Sequence, residues 1–255
     1  MTELFAVEDG DAQAPPLVLG SSLGATLEMW DVQTPRLAEH YRVIRYDHRG
    51  HGRSPVPPRP YEIDDFADDV VELLDRLGIE QTNYCGLSIG GMTGISLAAH
   101  HPERVERLVV CCSSPHMPPA SNWQQRAKAV LEAGSVEVIT DAVVDRWLTP
   151  EYAAAHPDVR ERLRAMLAAS PPDGYAAACG AIERMDLRPL LGDVRAPTLV
   201  IAGARDLAAP PDEHSRVIAD GIPNARLELV DAAHVANVQQ AERVTELIID
   251  HLEGS

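Results

Sequence analysis

The sequence contains very little lysine: Lys128 is the single lysine in 255 residues, and arginine supplies nearly all of the positive charge. Basic residues number 22 against 39 acidic ones, so the formal net charge is −17. A surface this acidic repels phosphate backbones and anionic lipid headgroups. We therefore expect no nucleic-acid partner and no membrane association. A site that binds an anion would have to supply its own local positive charge.

Cysteine is also scarce, and no C-x-x-C pair is present, so neither a zinc site nor a disulfide framework is predicted. We expect reduced, mostly buried thiols in a cytosolic protein. Residues 1–10 lack a basic segment followed by an apolar stretch, which predicts no signal peptide. No run is long and apolar enough to span a bilayer. The cysteines are Cys85, Cys111, Cys112 and Cys179.

Strand-like and helix-like segments alternate along most of the chain. Short apolar runs that predict strands lie at 17–19, 41–46, 82–85, 104–112, 198–202 and 225–230. Helical patterns lie at 63–77, 89–100, 212–219 and 242–252. This alternation predicts an α/β fold whose central sheet is mostly parallel and carries helices on both faces.

The pattern changes after Ser113, where only helix-like segments separated by prolines are found up to about Arg188. We predict a core made of residues 1–116 and 191–255, with an inserted helical cap at 117–190. Ligands of open α/β sheets bind at the carboxyl ends of the strands. A cap inserted there would cover the site and exclude water.

The segment Gly86–Gly90 reads G-x-S-x-G, with Ser88 at its centre. In this motif a serine occupies a sharp turn between a strand and a helix, and the glycines allow close approach of the backbone. Here a strand pattern ends at Cys85 and a helix of small residues begins at Ile89. Those flanks are the ones that the motif requires. We therefore predict Ser88 as a catalytic nucleophile.

A serine hydroxyl needs an adjacent base, and in this class of fold the order along the chain is serine, acid, histidine. His234 fits, because it lies between the last predicted strand and the last helix. His214 and His251 lie in predicted helices, and we expect them to face solvent. His48 and His51 precede the serine, and we interpret them as part of a turn near the site.

The acid that orients the histidine is predicted at Asp206, which follows the strand pattern at 198–202. Asp231 is the alternative, although it lies very near His234 in sequence. Asp212 is expected to cap the helix that begins there.

Acyl transfer also needs hydrogen-bond donors for an oxyanion. One is predicted at the backbone N–H of Ile89, immediately after the nucleophile, and the other in the loop Gly20–Gly24, at the backbone N–H of Leu23.

Eight short motifs lie at residues 21–24, 29–31, 46–54, 86–92, 101–109, 196–201, 205–206 and 232–238. Together they resemble the 3-oxoadipate enol-lactonases, members of the α/β-hydrolase superfamily. The resemblance covers nearly the whole chain and is weakest in the predicted cap. It implies an α/β-hydrolase fold and hydrolysis of 3-oxoadipate enol-lactone to 3-oxoadipate, in the β-ketoadipate pathway of aromatic catabolism. It also implies a Ser88–His234–Asp206 triad that works without a metal or an organic cofactor.

The serine at position 88 separates this chain from dienelactone hydrolases, which carry cysteine there. It also separates the chain from epoxide hydrolases and haloalkane dehalogenases, which carry aspartate.

The implied substrate is a small anionic lactone whose free carboxylate calls for a nearby cation. Each candidate side chain below has an alternative interpretation as a surface charge or a packed aromatic. Trp30 is expected either to line the pocket or to pack in the core. The cap candidates are the cations Arg126, Lys128 and Arg146 and the aromatics Trp123 and Trp147.

Other functions on the same fold remain open at this stage: a carboxylesterase, a C–C bond hydrolase or a cofactor-free perhydrolase. A non-catalytic ligand-binding relative is the alternative from another class, although such proteins often lose a triad member and this chain keeps all three. The oligomeric state is left open.

Overall fold

The computed structural model describes residues 2–254, which form a seven-stranded sheet covered by helices. The strand order is β1-β3-β2-β4-β5-β6-β7. β1 is antiparallel to β3, and all other neighbours are parallel. The strands are β1 (Ala6–Asp9), β2 (Pro16–Gly20), β3 (Arg42–Tyr46), β4 (Thr82–Leu87), β5 (Val105–Cys111), β6 (Thr198–Gly203) and β7 (Arg226–Val230).

The predicted α/β fold with a mostly parallel sheet is confirmed. Every residue of β4 and β6 is buried, although alternate side chains of a strand point to opposite faces. Both faces of the central sheet are therefore covered, as parallel sheets require. β1 was not expected from the sequence, because its four residues AVED contain no apolar run. It lies at the edge of the sheet and pairs only with β3.

The helix predicted over 63–77 is present at those bounds. Its N-terminus is closed by Glu62 and Asp65, whose side chains form a reciprocal capping box. It ends at Gly78, which adopts φ 67°, a conformation that glycine tolerates best. The α-helices are α1 (Thr34–Leu37), α2 (Ile63–Leu77), α3 (Ile89–His100), α4 (Ala120–Ala133), α5 (Thr140–Trp147), α6 (Pro150–Ala155), α7 (Pro157–Ala168), α8 (Pro172–Arg184), α9 (Ser215–Gly221), α10 (Ala236–Gln239) and α11 (Ala241–Leu252).

The chain between β5 and β6 consists of helices α4 to α8 and short 3-10 turns, and α4 packs against α8. These helices lie in the segment for which the sequence predicts a cap. The boundaries at 116/117 and 190/191 stay predictions. Within residues 2–254, every helix is too short or too polar to cross a bilayer.

Helix α8 meets the core through a contact between two glycines. A Cβ on Gly174 would overlap the carbonyl group of Gly50, which lies in the turn after β3. The two backbones approach so closely that neither position has space for a larger side chain.

We expect Gly174→Ala to lower the free energy of unfolding by about 1–3 kcal/mol, because the added methyl forces α8 away from the core. Gly192→Ala is the matched control, since a Cβ at Gly192 would meet no atom within 4 Å. Urea denaturation of both variants measures the difference. Equal stability of the two would contradict the glycine contact.

Candidate active site

The backbone turn that carries Ser88 joins the end of β4 to the start of α3. Ser88 adopts φ 58° and ψ −115°, a strained conformation for a residue with a side chain. Gly86 and Gly90 permit the turn, because a Cβ on Gly86 would overlap the Gly90 carbonyl and a Cβ on Gly90 would overlap Gly20. The serine therefore projects from the carboxyl edge of the sheet.

A short hydrogen bond joins His234 to Asp206, with 2.7 Å between Nδ1 and Oδ2. Both side chains are buried. The other carboxylate oxygen of Asp206 accepts hydrogen bonds from the backbone N–H groups of Ala208 and Ala209, at 2.7 and 2.9 Å. The carboxylate is thus held on both oxygens. Since Nδ1 of His234 donates to it, Nε2 is the nitrogen that is left to accept a proton.

Asp231, the alternative acid, and Asp212, the expected helix cap, both form ion pairs away from His234. Asp231 has a 77% exposed side chain and pairs with Arg205 at 3.0 Å. Asp212 pairs with Arg216 at 3.0 Å, and α9 begins only at Ser215. The expectation that Asp212 caps a helix starting there is therefore wrong.

Ser88 and His234 line one cavity of about 270 Å³. The hydrogen bonds found within residues 2–254 include none between these two side chains. Serine–histidine bonds at active sites are often long until substrate binds. The same cavity is lined by Leu23 and, from the segment between β5 and β6, by Trp123, Arg126, Arg146, Trp147 and Tyr175.

Two backbone N–H groups beside Ser88 are free to bind an oxygen. The N–H groups of Leu23 and Ile89 donate to no other group in the described part of the chain. Ile89 is the first residue of α3, where N–H groups lack a partner within the helix and the helix dipole favours negative charge. The N–H of Gly90 donates to Ser21 O at 3.1 Å, which ties the Leu23 loop to this helix.

Two arginines enter the cavity without an acidic partner. Neither Arg126 nor Arg146 lies within 4.0 Å of a carboxylate oxygen of residues 2–254. The Arg126 guanidinium lies 4.9 Å from the centre of the Trp123 ring. Burial lowers the pKa of Arg146 from its usual value, and the charge of Arg126 lowers it further. The Tyr175 hydroxyl is buried, and its geometry gives it no hydrogen-bond partner in that same range. Burial raises its pKa, and the nearby Arg126 opposes that rise.

Two of the expected binding residues lie away from the cavity. Trp30 is fully buried in the core, and its Nε1 donates to Gly20 O at 3.3 Å. Of the two roles expected for Trp30, lining the pocket or packing in the core, it has the second. Lys128 has a 73% exposed side chain and pairs with Glu132 at 3.7 Å.

Sequence reasoning missed His214 as a cavity residue and wrongly placed it on the solvent face of a helix. It is buried beside the cavity, and its Nδ1 lies 2.7 Å from Ser114 Oγ. Ser114 Oγ donates to His116 O at 2.7 Å, so the proton between Ser114 and His214 belongs to Nδ1. Burial lowers the pKa of His214. No periodicity could have indicated this, because His214 precedes α9.

His251, also expected to face solvent, is buried, and its Nε2 donates to Pro197 O at 3.1 Å. Across residues 2–254, no three or more His, Cys, Asp or Glu side chains are grouped so that they could hold a metal ion.

The sequence profile of the alpha/beta hydrolase fold matches residues 15–241. The chain belongs to the α/β-hydrolase family. It is 39% identical to 3-oxoadipate enol-lactonase 2 of Acinetobacter baylyi, over 91% of this chain and 86% of that protein.

Two solved structures are also similar to this chain. The enol-lactonase of Burkholderia xenovorans LB400 is 40% identical with a TM-score of 0.96, covering 99% of this chain and 97% of that one. A thermophilic esterase from Thermogutta terrifontis is 29% identical with a TM-score of 0.92, covering 99% and 93%. The resemblance to 3-oxoadipate enol-lactonases that the motifs indicate is confirmed.

Substitution of Asp206 and of Asp231 in this α/β-hydrolase tests which of the two acids orients His234. We expect Asp206→Asn to lower kcat by about 10⁴, because the amide no longer holds His234 in the required tautomer. Asp231→Asn removes the same charge from the loop after β7, which also carries His234, and should leave kcat unchanged. Steady-state kinetics on an aryl ester measure both. A large loss for Asp231→Asn with none for Asp206→Asn would overturn the assignment.

Proposed function

We propose that this α/β-hydrolase hydrolyses 3-oxoadipate enol-lactone to 3-oxoadipate through an acyl-enzyme on Ser88, in aromatic catabolism. The observation that carries the proposal is one small cavity lined by Ser88, His234 and two arginines that pair with no carboxylate of residues 2–254. Its relatives named as enol-lactonases support the same substrate. The four cysteines are buried free thiols, and we assign the enzyme to the cytosol, where thiols stay reduced.

In the acylation step, Ser88 Oγ attacks the lactone carbonyl while His234 Nε2 takes the hydroxyl proton. The ring C–O bond then breaks, and the enol oxygen leaves with the proton that His234 returns. Asp206 holds the imidazole in place and stabilises its positive form during both transfers. The product of this step is an ester of Ser88 that carries a free enol.

In the deacylation step, His234 takes a proton from water, and the resulting hydroxide attacks the ester carbonyl. Ser88 leaves with the proton from His234, and the enol tautomerises to the ketone. In both steps the carbonyl oxygen becomes an oxyanion, and the N–H groups of Leu23 and Ile89 donate to it.

The substrate carboxylate is assigned to Arg126 and Arg146, with the Tyr175 hydroxyl as a further donor. A protein with a net charge of −17 repels an anion as a whole. Guanidinium groups that no carboxylate neutralises give the site its own positive charge. Burial of the Tyr175 hydroxyl without a partner costs free energy that a bound carboxylate oxygen would recover.

A carboxylesterase is the second candidate, supported by the likeness to the thermophilic esterase. The cavity of about 270 Å³ suits small substrates in either activity.

Turnover of the enol-lactone tests the proposal directly, through the loss of its ultraviolet absorbance. We expect turnover by the wild type and a loss of at least about 10³ in kcat for Ser88→Ala, which removes the nucleophile. Ser121→Ala, an exposed serine of α4, is the control. Good turnover of aryl esters without turnover of the lactone would contradict the lactonase activity and support a carboxylesterase. Full activity of Ser88→Ala would overturn the assignment of Ser88 as the nucleophile.

We expect Arg126→Met and Arg146→Met each to raise KM for the enol-lactone by roughly 10- to 100-fold, the effect of losing one charge-assisted hydrogen bond. KM for a neutral aryl ester should change little. Arg162→Met, at an exposed arginine of α7 without an acidic partner in the described chain, is the matched control. An equal rise for charged and neutral substrates would contradict the carboxylate site.

A further inference from the structure

The loop Gly20–Gly24, which presents the Leu23 N–H, is held by hydrogen bonds to its carbonyl oxygens. Ser21 O accepts two of them, from Gly90 N at 3.1 Å and from His48 Nε2 at 3.0 Å. A carbonyl oxygen can only accept, so Nε2 of His48 carries the proton. The carbonyl oxygen of Ser21 thus connects the loop both to helix α3, through Gly90, and to the side chain of His48.

His48 is locked in this donor state. Its ring is fully buried and makes edge contacts with the rings of Tyr46 and Phe66, at 4.9 and 5.6 Å between centres. Burial, with a smaller contribution from the neighbouring His51, lowers the pKa of His48 to about 3. Its Nδ1 has no hydrogen-bond partner among residues 2–254. Burying that nitrogen unpaired costs about 1–3 kcal/mol, so an apolar ring would suit the core better unless the Nε2–H donor had a use.

The other end of the loop is held from the cap. Ser170, in the link between α7 and α8, is buried, and its Oγ donates to Gly24 O at 2.9 Å. Gly24 adopts φ 78°, and a Cβ there would overlap the side chain of Leu167 from α7. Helices inserted between β5 and β6 therefore pack directly on the loop that carries Leu23.

We propose that His48 and Ser170 are positioning residues for the oxyanion hole, and that the cap is therefore a structural part of that hole. The inference rests on the proposed function, because it assumes that Leu23 and Ile89 donate to an oxyanion. His48 fixes the loop against α3 at Ser21. Ser170 fixes its far end at Gly24. The Leu23 N–H lies between these two fixed points.

The consequence for kinetics follows from the geometry of oxyanion binding. Donors act when they lie about 2.7–3.1 Å from the oxyanion, and removal of one such donor costs about 10²–10³ in kcat. If the loop shifts slightly, the Leu23 N–H stays in the site but stabilises the oxyanion less. The substrate carboxylate binds to other residues, so ground-state binding should not change. The signature is a fall in kcat at constant KM.

The experiment compares His48→Phe with His48→Gln and Ser170→Ala with Ser170→Thr, on both an aryl ester and the enol-lactone. We expect His48→Phe to lower kcat about 10- to 100-fold and Ser170→Ala about 3- to 10-fold, with KM unchanged. The variants that keep a donor, His48→Gln and Ser170→Thr, should recover most of the loss. His251→Phe is the matched control, because His251 is also a buried histidine that donates from Nε2 to a backbone carbonyl.

The inhibition constant of phenylboronic acid is a second measurement, and a loss of protein stability alone would not change it. Its adduct with Ser88 places a negative oxygen in the oxyanion hole, so its inhibition constant should rise by the same factor as kcat/KM falls. Unchanged boronate affinity in both His48→Phe and Ser170→Ala, or an equal kcat loss in His251→Phe, overturns the inference. If His48→Phe does not fold, the Ser170 pair alone decides. A wild type that hydrolyses neither substrate would instead overturn the proposed function.

Discussion

The arrangement of the site depends on one strained turn of the backbone at Ser88. Its φ of 58° is maintained because Gly86 and Gly90 let the elbow pack without side chains against Gly20. The turn does three things at once. It projects the serine hydroxyl into the cavity, leaves the Ile89 N–H without a partner in the described part of the chain, and brings the Gly90 N–H to the Leu23 loop. Strain at a functional site persists only where the surrounding structure over-determines it, and here the loop and the sheet do so.

The distribution of charge in the protein is a second constraint, and it acts on which ligand the cavity binds. A chain with 39 acidic and 22 basic residues uses most of its arginines in ion pairs on the surface, such as Arg160 with Asp145 and Arg205 with Asp231. Arg126 and Arg146 are exceptions that line the cavity. An isolated positive site in an otherwise negative protein favours a small anion over larger or neutral ligands. The proposed lactone fits this distribution of charge.

The sequence was most informative where structure is decided locally. The helix over 63–77 follows from apolar spacing, and the turn at Ser88 follows from its glycines, because both depend on neighbours in the chain. The burial of polar side chains depends on distant elements instead. His214 and His251 were therefore expected in solvent and are buried, and the bond from Ser170 to Gly24 joins residues 146 positions apart. The boundaries of the cap and the roles of the site residues stay proposals.

The central claim is that Ser88 is an activated nucleophile, and labelling with a fluorophosphonate probe followed by peptide mapping tests it most directly. The account predicts one phosphonyl group per chain, on Ser88, and loss of esterase activity in proportion to labelling. Absence of labelling in an active enzyme, or labelling of another residue with activity retained, would contradict it.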